Sequence, residues 1–258
     1  MPLIPSPAVS PELLVLLFLA GGLAGFVDSV AGGGGLIALP ALLSAGLPPH
    51  LALGTNKFQG SFGTFSAAIR YIRGGQAALK PALPGIGFTL VGAMMGTMAV
   101  QRLDPVFLRW LAPVLLLLVL LLALRSPRFG QDDRPPRLSS LAFHLLFGSG
   151  LGFYDGFFGP GTGAFWTAGY CVLMGHALPK AAGYTRIMNF TSNIVSLSLF
   201  IRGGQVLYAM GIAMAVGQFI GARAGAGMAI QRGARFIRPV FLGVVALTVA
   251  RLVYANFR

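Results

Sequence analysis

Four ionisable residues stand at matched positions in two similar halves of an otherwise apolar sequence. Asp28 in "GFVDSVAGGGG" matches Asp155 in "GFYDGFFGPGT", 127 residues later, and a glycine-rich run follows each of them. Lys57 in "ALGTNK" matches Arg186 in "AAGYTR", 129 residues later. Ionisable side chains within a membrane usually face a cavity and mark a pathway. A lone cation near the membrane surface could simply extend its charge to water, but two at matched positions favour the lining of a polar cavity.

The glycine-rich runs predict breaks in helices. "GGGG" (32–35) follows the first aspartate and "GPGTG" (159–163) follows the second. Glycine accepts unusual backbone angles, and a helix that begins after such a break leaves backbone N–H groups unpaired. These donors and the partial positive charge of a helix N-terminus attract anions. The alternative is that the glycines only allow close helix packing, which we expect for scattered glycines such as Gly92 and Gly96.

The predicted anion site combines the cations and the glycine breaks with nearby hydroxyl and amide side chains. Its members are Gly32, Gly33, Gly34, Gly35, Thr55, Asn56, Lys57, Gln59, Gly159, Gly161, Thr162, Arg186, Asn189 and Asn193. Asp28 and Asp155 have three alternative roles, which the sequence leaves open: they anchor the glycine breaks, pair with the cations, or exchange protons. A sodium site has no specific support.

Composition indicates that membrane helices position these residues. Of the 258 residues, 55% are hydrophobic and 10% are charged, whereas soluble domains carry about 25% charged residues. Apolar runs such as 13–27 and 111–124 approach the roughly 20 residues that a spanning helix needs. The sequence therefore predicts an all-α, polytopic integral membrane protein.

The distribution of charge and the small number of cysteines and histidines argue against a nucleic-acid-binding protein, a disulfide-stabilised protein and a metalloprotein. The net charge of +13 comes from basic residues that lie between apolar segments, as expected for residues that fix membrane orientation, and not from one nucleic-acid-binding patch. The single cysteine excludes an intrachain disulfide. The three histidines, His50, His144 and His176, are widely separated, so we expect interfacial side chains and no metal site.

The chain is a tandem duplication. "IRGGQ" occurs at 72–76 and again at 201–205, and "VGAMMG" (91–96) matches "VGQFIG" (216–221) in the same order. The hydrophilic stretch at the joint predicts a first transmembrane repeat at 12–125, an exposed linker at 126–138 and a second repeat at 139–256.

Each repeat contains five apolar segments. The predicted segments are about 12–31, 33–47, 52–72, 79–100 and 106–124, and then about 141–158, 161–178, 183–201, 205–229 and 236–256. The apolar N-terminal run lacks the basic residues of a signal peptide, so we expect it to be retained as the first helix. The second segment of each repeat is short and either spans the membrane or re-enters it as a half-helix. An odd number of segments and the distribution of basic residues favour inverted repeats.

The motif "GFVDSVAGGGGLIALPALLSAGLPPHLALGTNKFQ" and its weaker copy "GFYDGFFGPGTGAFW…AAGYTRIMNFTSN" resemble the sulfite exporter TauE/SafE (TSUP) family of membrane transporters. The resemblance extends over about 12–256. It implies a carrier in the cytoplasmic (inner) membrane of a prokaryote, with sulfite, thiosulfate or an organosulfonate such as sulfoacetate as substrate. Tyr184 stands opposite Thr55 and Pro160 opposite Gly33, so the two half-sites are expected to differ.

The resulting hypothesis is a secondary transporter that works by alternating access, with Asp28 or Asp155 as candidate proton carriers. Its expected partners are a small inorganic or organosulfur anion and membrane lipid, and it needs no cofactor. A passive anion channel is the nearest alternative, because glycine breaks and cations would serve it equally. An intramembrane enzyme is a further alternative, but serine, histidine and aspartate form no motif-like grouping. The oligomeric state is left open.

Overall fold

The computed structural model describes residues 10–102 and 130–256, together with the isolated positions 117, 121 and 124. Within these residues the regular structure is helical and there are no strands. The helices are α1 (Pro11–Ala31), α2 (Gly35–Ser44), α3 (Pro49–Arg73), α4 (Leu79–Val100), α5 (Ser140–Phe143, a π-helical turn His144–Gly148, and Ser149–Phe157), α6 (Thr162–Val172), α7 (Leu178–Arg202), α8 (Tyr208–Arg232) and α9 (Ala234–Asn256). The all-α prediction is therefore confirmed. The predicted segment 106–124 lies outside the described residues, apart from the three isolated positions.

Helix boundaries follow local backbone chemistry. α1 begins after Ser10, whose hydroxyl accepts from the Leu13 N–H at 3.2 Å, and it ends at Gly32 in the left-handed conformation with φ 85°. α3 and α7 begin earlier than predicted, at Pro49 and Leu178, because proline is favoured in the first turn of a helix and each of these helices carries one there.

The second helix of each repeat is too short to cross a membrane. α2 has 10 residues and α6 has 11, so each is about 15 Å long, against about 30 Å for the apolar core of a bilayer. Gly46 (φ 86°) and Gly175 (φ 69°) follow them in the left-handed conformation. Of the two alternatives for these segments, the structure has half-length helices.

Glycine stripes bring pairs of helices into backbone contact. A β-carbon at Gly25 on α1 would lie 3.0 Å from the Ala222 nitrogen on α8, and Gly21 on α1 meets Met214 on α8. Gly92 and Gly96 on α4 likewise lie against α5, where a β-carbon would come within 2.9 Å of a backbone nitrogen. Gly92 and Gly96 therefore serve close packing, as expected, and each of these helix pairs runs parallel.

The third helices of the two repeats, α3 and α7, cross in opposite directions. Gly54, near the start of α3, lies beside Phe200 at the end of α7. Tyr71, at the end of α3, lies beside Gly183 near the start of α7. The two helices that carry Lys57 and Arg186 are thus antiparallel neighbours at the centre of the fold.

Two described helices, α1 and α4, are long and apolar enough by composition to cross a membrane. The longer helices α3, α7 and α8 have 25 residues each, about 37 Å at 1.5 Å per residue. Their sequences are less apolar because they carry the polar side chains at the centre of the protein.

The described part of the predicted linker, 130–138, is mostly exposed and is tied to the loop between α6 and α7. The Arg134 N–H donates to the Gly175 oxygen at 2.7 Å, and Asp133 accepts from the Ala177 N–H at 2.7 Å and from Lys180 Nζ at 3.0 Å. Partial burial alone would raise the pKa of Asp133, but these two hydrogen bonds hold it below its usual value. The linker is thus held against the chain between α6 and the first turn of α7.

Candidate anion site

The two half-helices begin where the two glycine breaks touch. α2 begins at Gly35 and α6 begins at Thr162. These two positions are equivalent in the two repeats, at the same offset of 127 that matches Asp28 with Asp155. A β-carbon on Gly163 would lie 2.5 Å from the Gly32 α-carbon. Only glycine fits at this contact, so the breaks bring the N-termini of both half-helices to one point.

A small polar cavity lies at this meeting point. Its volume is about 40 Å³, and a single water needs about 10–15 Å³. The wall consists of glycines and polar or charged side chains from both repeats: Asp28, Gly32, Gly35, Asn56, Lys57, Gln59, Gly60, Thr64, Asp155, Gly159, Gly161, Thr162, Gly163, Asn189, Asn193 and Gln218. The described cavity wall thus contains no hydrophobic side chain.

Lys57 and Asp155 form a buried ion pair in the cavity wall. Lys57 Nζ donates to Asp155 Oδ1 at 2.8 Å and to Asn193 Oδ1 at 3.2 Å. Asp155 Oδ2 accepts from the Ser192 hydroxyl. The side chains of Lys57 and Asp155 are 3% and 7% exposed. Because α3 contributes the lysine and α5 the aspartate, the pair joins the two repeats.

Arg186 and Asp28 form the second pair, which also joins the repeats. Arg186 Nη1 donates to Asp28 Oδ2 at 2.7 Å and to the Asp28 backbone oxygen at 2.5 Å. Asp28 Oδ1 accepts from the Gly34 N–H at 3.1 Å. Asp28 therefore both anchors the first glycine break and pairs with a cation, two of the three roles that the sequence left open.

Several donors around the cavity have no protein acceptor. The backbone N–H groups of Gly35 and Gly163, in the first turns of the half-helices, make no hydrogen bond with the described residues. Because Asn56 Oδ1 accepts from the Gln59 amide at 2.8 Å, the Asn56 amide nitrogen is left as a donor, and it lies near Gly35. Lys57 uses two of its three N–H groups. Backbone donors, amide groups and a cation are the groups that replace the water shell of an oxyanion.

The family model for the sulfite exporter TauE/SafE matches residues 17–252. The chain belongs to the TauE/SafE family.

Relatives of this TauE/SafE protein carry matching names. The chain is 44% identical over 246 residues to the "Probable membrane transporter protein YfcA" of Escherichia coli strain K12, covering 95% of this chain and 91% of the relative. It is 42% identical over 243 residues to a "Probable membrane transporter protein" of Haemophilus influenzae, covering 94% and 95%. It is 25% identical over 244 residues to the "Probable membrane transporter protein YdhB" of Bacillus subtilis, covering 91% and 99%. The family and these relatives identify a membrane transporter.

The structure brings most of the predicted site residues of this TauE/SafE protein to one cavity and leaves four outside its wall. Gly33 packs against Val244 of α9, and Gly34 lies over Asp28. Thr55 Oγ1 accepts from the Leu207 N–H at 2.9 Å, so it caps α8 instead of facing the cavity. Arg186 is fully buried behind the wall.

Four lining residues were not predicted: Gly60, Thr64, Gly163 and Gln218. The repeat contained the signal for two of them, because an offset of 129 matches Gly60 to Asn189 and Thr64 to Asn193. Gln218 has no polar counterpart, since it falls opposite an alanine in "VGAMMG". The cavity is therefore asymmetric, as the differences between the repeats suggested.

The histidines lie away from the cavity. The interfacial prediction is wrong for His144, which is 3% exposed and lies 3.2 Å from the Tyr170 hydroxyl through its Nε2. It packs in an aromatic cluster between α5 and α6, where burial by neighbouring rings outweighs its polarity. Among the described residues no three histidine, cysteine or acidic side chains are grouped as a metal site would require.

Proposed function

We propose that this protein is a secondary transporter for small sulfur-containing anions in the inner membrane of a bacterium. The substrate class is sulfite, thiosulfate or an organosulfonate such as sulfoacetate. One observation carries the proposal: a small polar cavity lies between the N-termini of two half-helices, and both repeats supply its wall.

The unpaired donors support an anion. A small oxyanion is strongly hydrated, so a binding site must offer several hydrogen-bond donors in place of water. The Gly35 and Gly163 N–H groups and the remaining Lys57 N–H offer such donors at the point where both half-helix dipoles are positive.

The cavity size supports a small substrate. A volume of about 40 Å³ is far below the roughly 300–1,000 Å³ of sites for drug-sized ligands. An inorganic anion, or the sulfonate end of a short organosulfonate, is the kind of group that suits this space. The name of the TauE/SafE family points to the same class.

The arrangement of the repeats supports alternating access. The two halves are proposed to be inverted, because their third helices run antiparallel and because packing is reciprocal: α1 packs on α8, and α4 packs on α5. Inverted repeats with broken helices bind substrate at the repeat interface, and relative motion of the halves exposes it to each side in turn. Except for Asn193, which is half-buried, the polar side chains of the wall are buried, which favours a carrier over an open anion channel.

Uptake into proteoliposomes tests the proposal. Sulfite, thiosulfate, sulfoacetate and sulfate are offered to liposomes that contain the full chain, and we expect saturable uptake of at least one of the first three. Lys57→Gln is expected to lower that uptake at least tenfold, because it removes the cavity cation. Lys180→Gln is the matched control: Lys180 also pairs with an aspartate, but its side chain is 38% exposed and lies far from the cavity.

Two results would count against a carrier of this kind. Uptake that increases linearly with anion concentration, without saturation, would favour the channel. Equal uptake by the wild type and by Lys57→Gln would remove the cavity from the pathway.

A further inference from the structure

The charges around the cavity are balanced. Lys57 pairs with Asp155 and Arg186 pairs with Asp28, so the charged side chains of the described cavity region sum to zero. An anion that enters alone would leave an unbalanced negative charge in a buried site, which is strongly unfavourable. The anion transport proposed above therefore needs a compensating positive charge.

Asp28 is held by groups that can only donate. Its Oδ1 accepts from the Gly34 N–H at 3.1 Å and its Oδ2 accepts from Arg186 Nη1 at 2.7 Å. A guanidinium keeps its protons in a protein, and a backbone N–H cannot accept a hydrogen bond. Among the described residues, neither of these partners of the Asp28 side chain could accept a hydrogen bond from a protonated carboxyl group.

Asp155 has a neighbour, Ser192, that can change from hydrogen-bond donor to hydrogen-bond acceptor. The Ser192 hydroxyl donates to Asp155 Oδ2, and Ser192 Oγ also lies 3.1 Å from the backbone oxygen of Asn189. A hydroxyl has one hydrogen, so it donates to one acceptor at a time, and its oxygen can accept a hydrogen bond. When Asp155 binds a proton, Ser192 can turn to the Asn189 oxygen and accept from the carboxyl group.

Proton binding at Asp155 also frees a cation for the anion. Lys57 then loses its charged partner but keeps the hydrogen bond to Asn193 at 3.2 Å. Its ammonium group, which lines the cavity, can pair with the incoming anion. A monovalent anion and a proton together restore the balance of charge.

We propose that each transported anion moves together with one proton carried on Asp155, and that the Ser192 hydroxyl accommodates the carboxylate and carboxyl forms in turn. This inference rests on the proposed transport function. The charged group that directly faces Asp155 is Lys57 on α3. On α5 itself, Tyr154 donates its hydroxyl to the Pro160 oxygen at 2.7 Å. The nearby polar side chains of α4, α6 and α7 are those of Thr97, Thr162, Ser192 and Asn193, which do not titrate.

Transport driven by a pH gradient tests the proton. Methanesulfonate and isethionate are suitable probes, because each is a monovalent organosulfonate whose ionisation is constant near neutral pH, so any pH dependence comes from the protein. With the full chain in liposomes and the membrane potential clamped at zero, one proton per anion predicts about tenfold accumulation for a gradient of about one pH unit. Asp155→Asn is expected to exchange labelled anion across the membrane but to lose this accumulation.

Ser192 is tested by a pair of variants. Ser192→Ala removes the hydroxyl and is expected to shift the pH of half-maximal transport, whereas Ser192→Thr keeps a hydroxyl and is expected to retain the wild-type pH profile. A purely structural role would lower the amount of folded protein without moving the pH profile. If Asp155→Asn does not fold, the comparison of Ser192→Ala with Ser192→Thr still tests whether Asp155 carries the proton.

The outcomes separate the inference from the function on which it rests. If the wild type moves neither these probes nor sulfite, thiosulfate or sulfoacetate, the proposed transport fails. If the wild type exchanges a probe but does not accumulate it, or if Asp155→Asn accumulates it as the wild type does, the proton inference is overturned and the transport function stands. Accumulation of about a hundredfold would contradict a single proton.

Discussion

Lys57→Gln tests whether the central ion pair holds the two repeats together. The Lys57 and Asp155 side chains are 3% and 7% exposed, and their N–O distance is 2.8 Å. At an effective dielectric constant of about 20, this distance corresponds to an attraction of about 6 kcal/mol. Removing one partner of a buried pair costs about 3–5 kcal/mol, because the remaining charge is left uncompensated. The Lys180–Asp133 pair has a similar distance of 3.0 Å, but its side chains are 38% and 55% exposed, so Lys180→Gln is expected to cost about 0–1 kcal/mol.

Thermal unfolding in detergent at one scan rate measures this difference. For a chain of this size about 1 kcal/mol corresponds to about 2–4 °C in Tm. Lys57→Gln is therefore expected to lower Tm by about 6–20 °C and Lys180→Gln by at most about 4 °C. The double variant Lys57→Gln/Asp155→Asn should recover part of the loss, because it removes the uncompensated charge. Equal shifts for the two lysine variants, or a double variant less stable than both single variants, would refute the reasoning.

Two further predictions concern the glycine contact and the loop between α6 and α7. Gly163→Ala places a β-carbon 2.5 Å from the Gly32 α-carbon, so it should cost about 1–3 kcal/mol and reduce anion uptake. Gly87→Ala on α4 has no atom within 4 Å of the new β-carbon, so it should not destabilise the protein and should leave uptake unchanged. For His176, burial and then the positive charge of Lys180 lower the pKa to about 4, against about 6.5 in the unfolded chain. The unfolded state therefore binds the proton first, and stability should fall as the pH drops from about 6.5 to 4; Tm measured against pH should be flatter in His176→Gln, and an unchanged slope would contradict this.

Duplication made much of the site predictable. Two offsets in the sequence matched Asp28 with Asp155 and Lys57 with Arg186, and the structure brings all four to one place. Glycine runs in apolar sequence correctly located the starts of the half-helices, because such runs combine freedom at positive φ with unpaired N–H groups. These signals are local, so a single sequence contains them.

What the sequence could not supply is the pairing across the repeats. Lys57 and Arg186 were both expected to hold the anion, but each is paired with the aspartate of the other repeat, and only Lys57 lines the cavity. Thr55 was assigned to the site because it lies two residues from Lys57, yet on a helix this spacing points it to another face, where it caps α8. Which face meets which neighbour depends on contacts between residues more than 90 positions apart.

Equilibrium binding of labelled thiosulfate and sulfoacetate to the purified full chain tests the central claim most directly. The account predicts saturable binding of at least one of these anions at one site per chain. That binding should be weakened at least tenfold in Lys57→Gln and be unchanged in Lys180→Gln. Binding of the same strength in both lysine variants would place the site elsewhere, and the absence of saturable binding of either anion to the wild type would contradict the proposal of an anion site in the cavity.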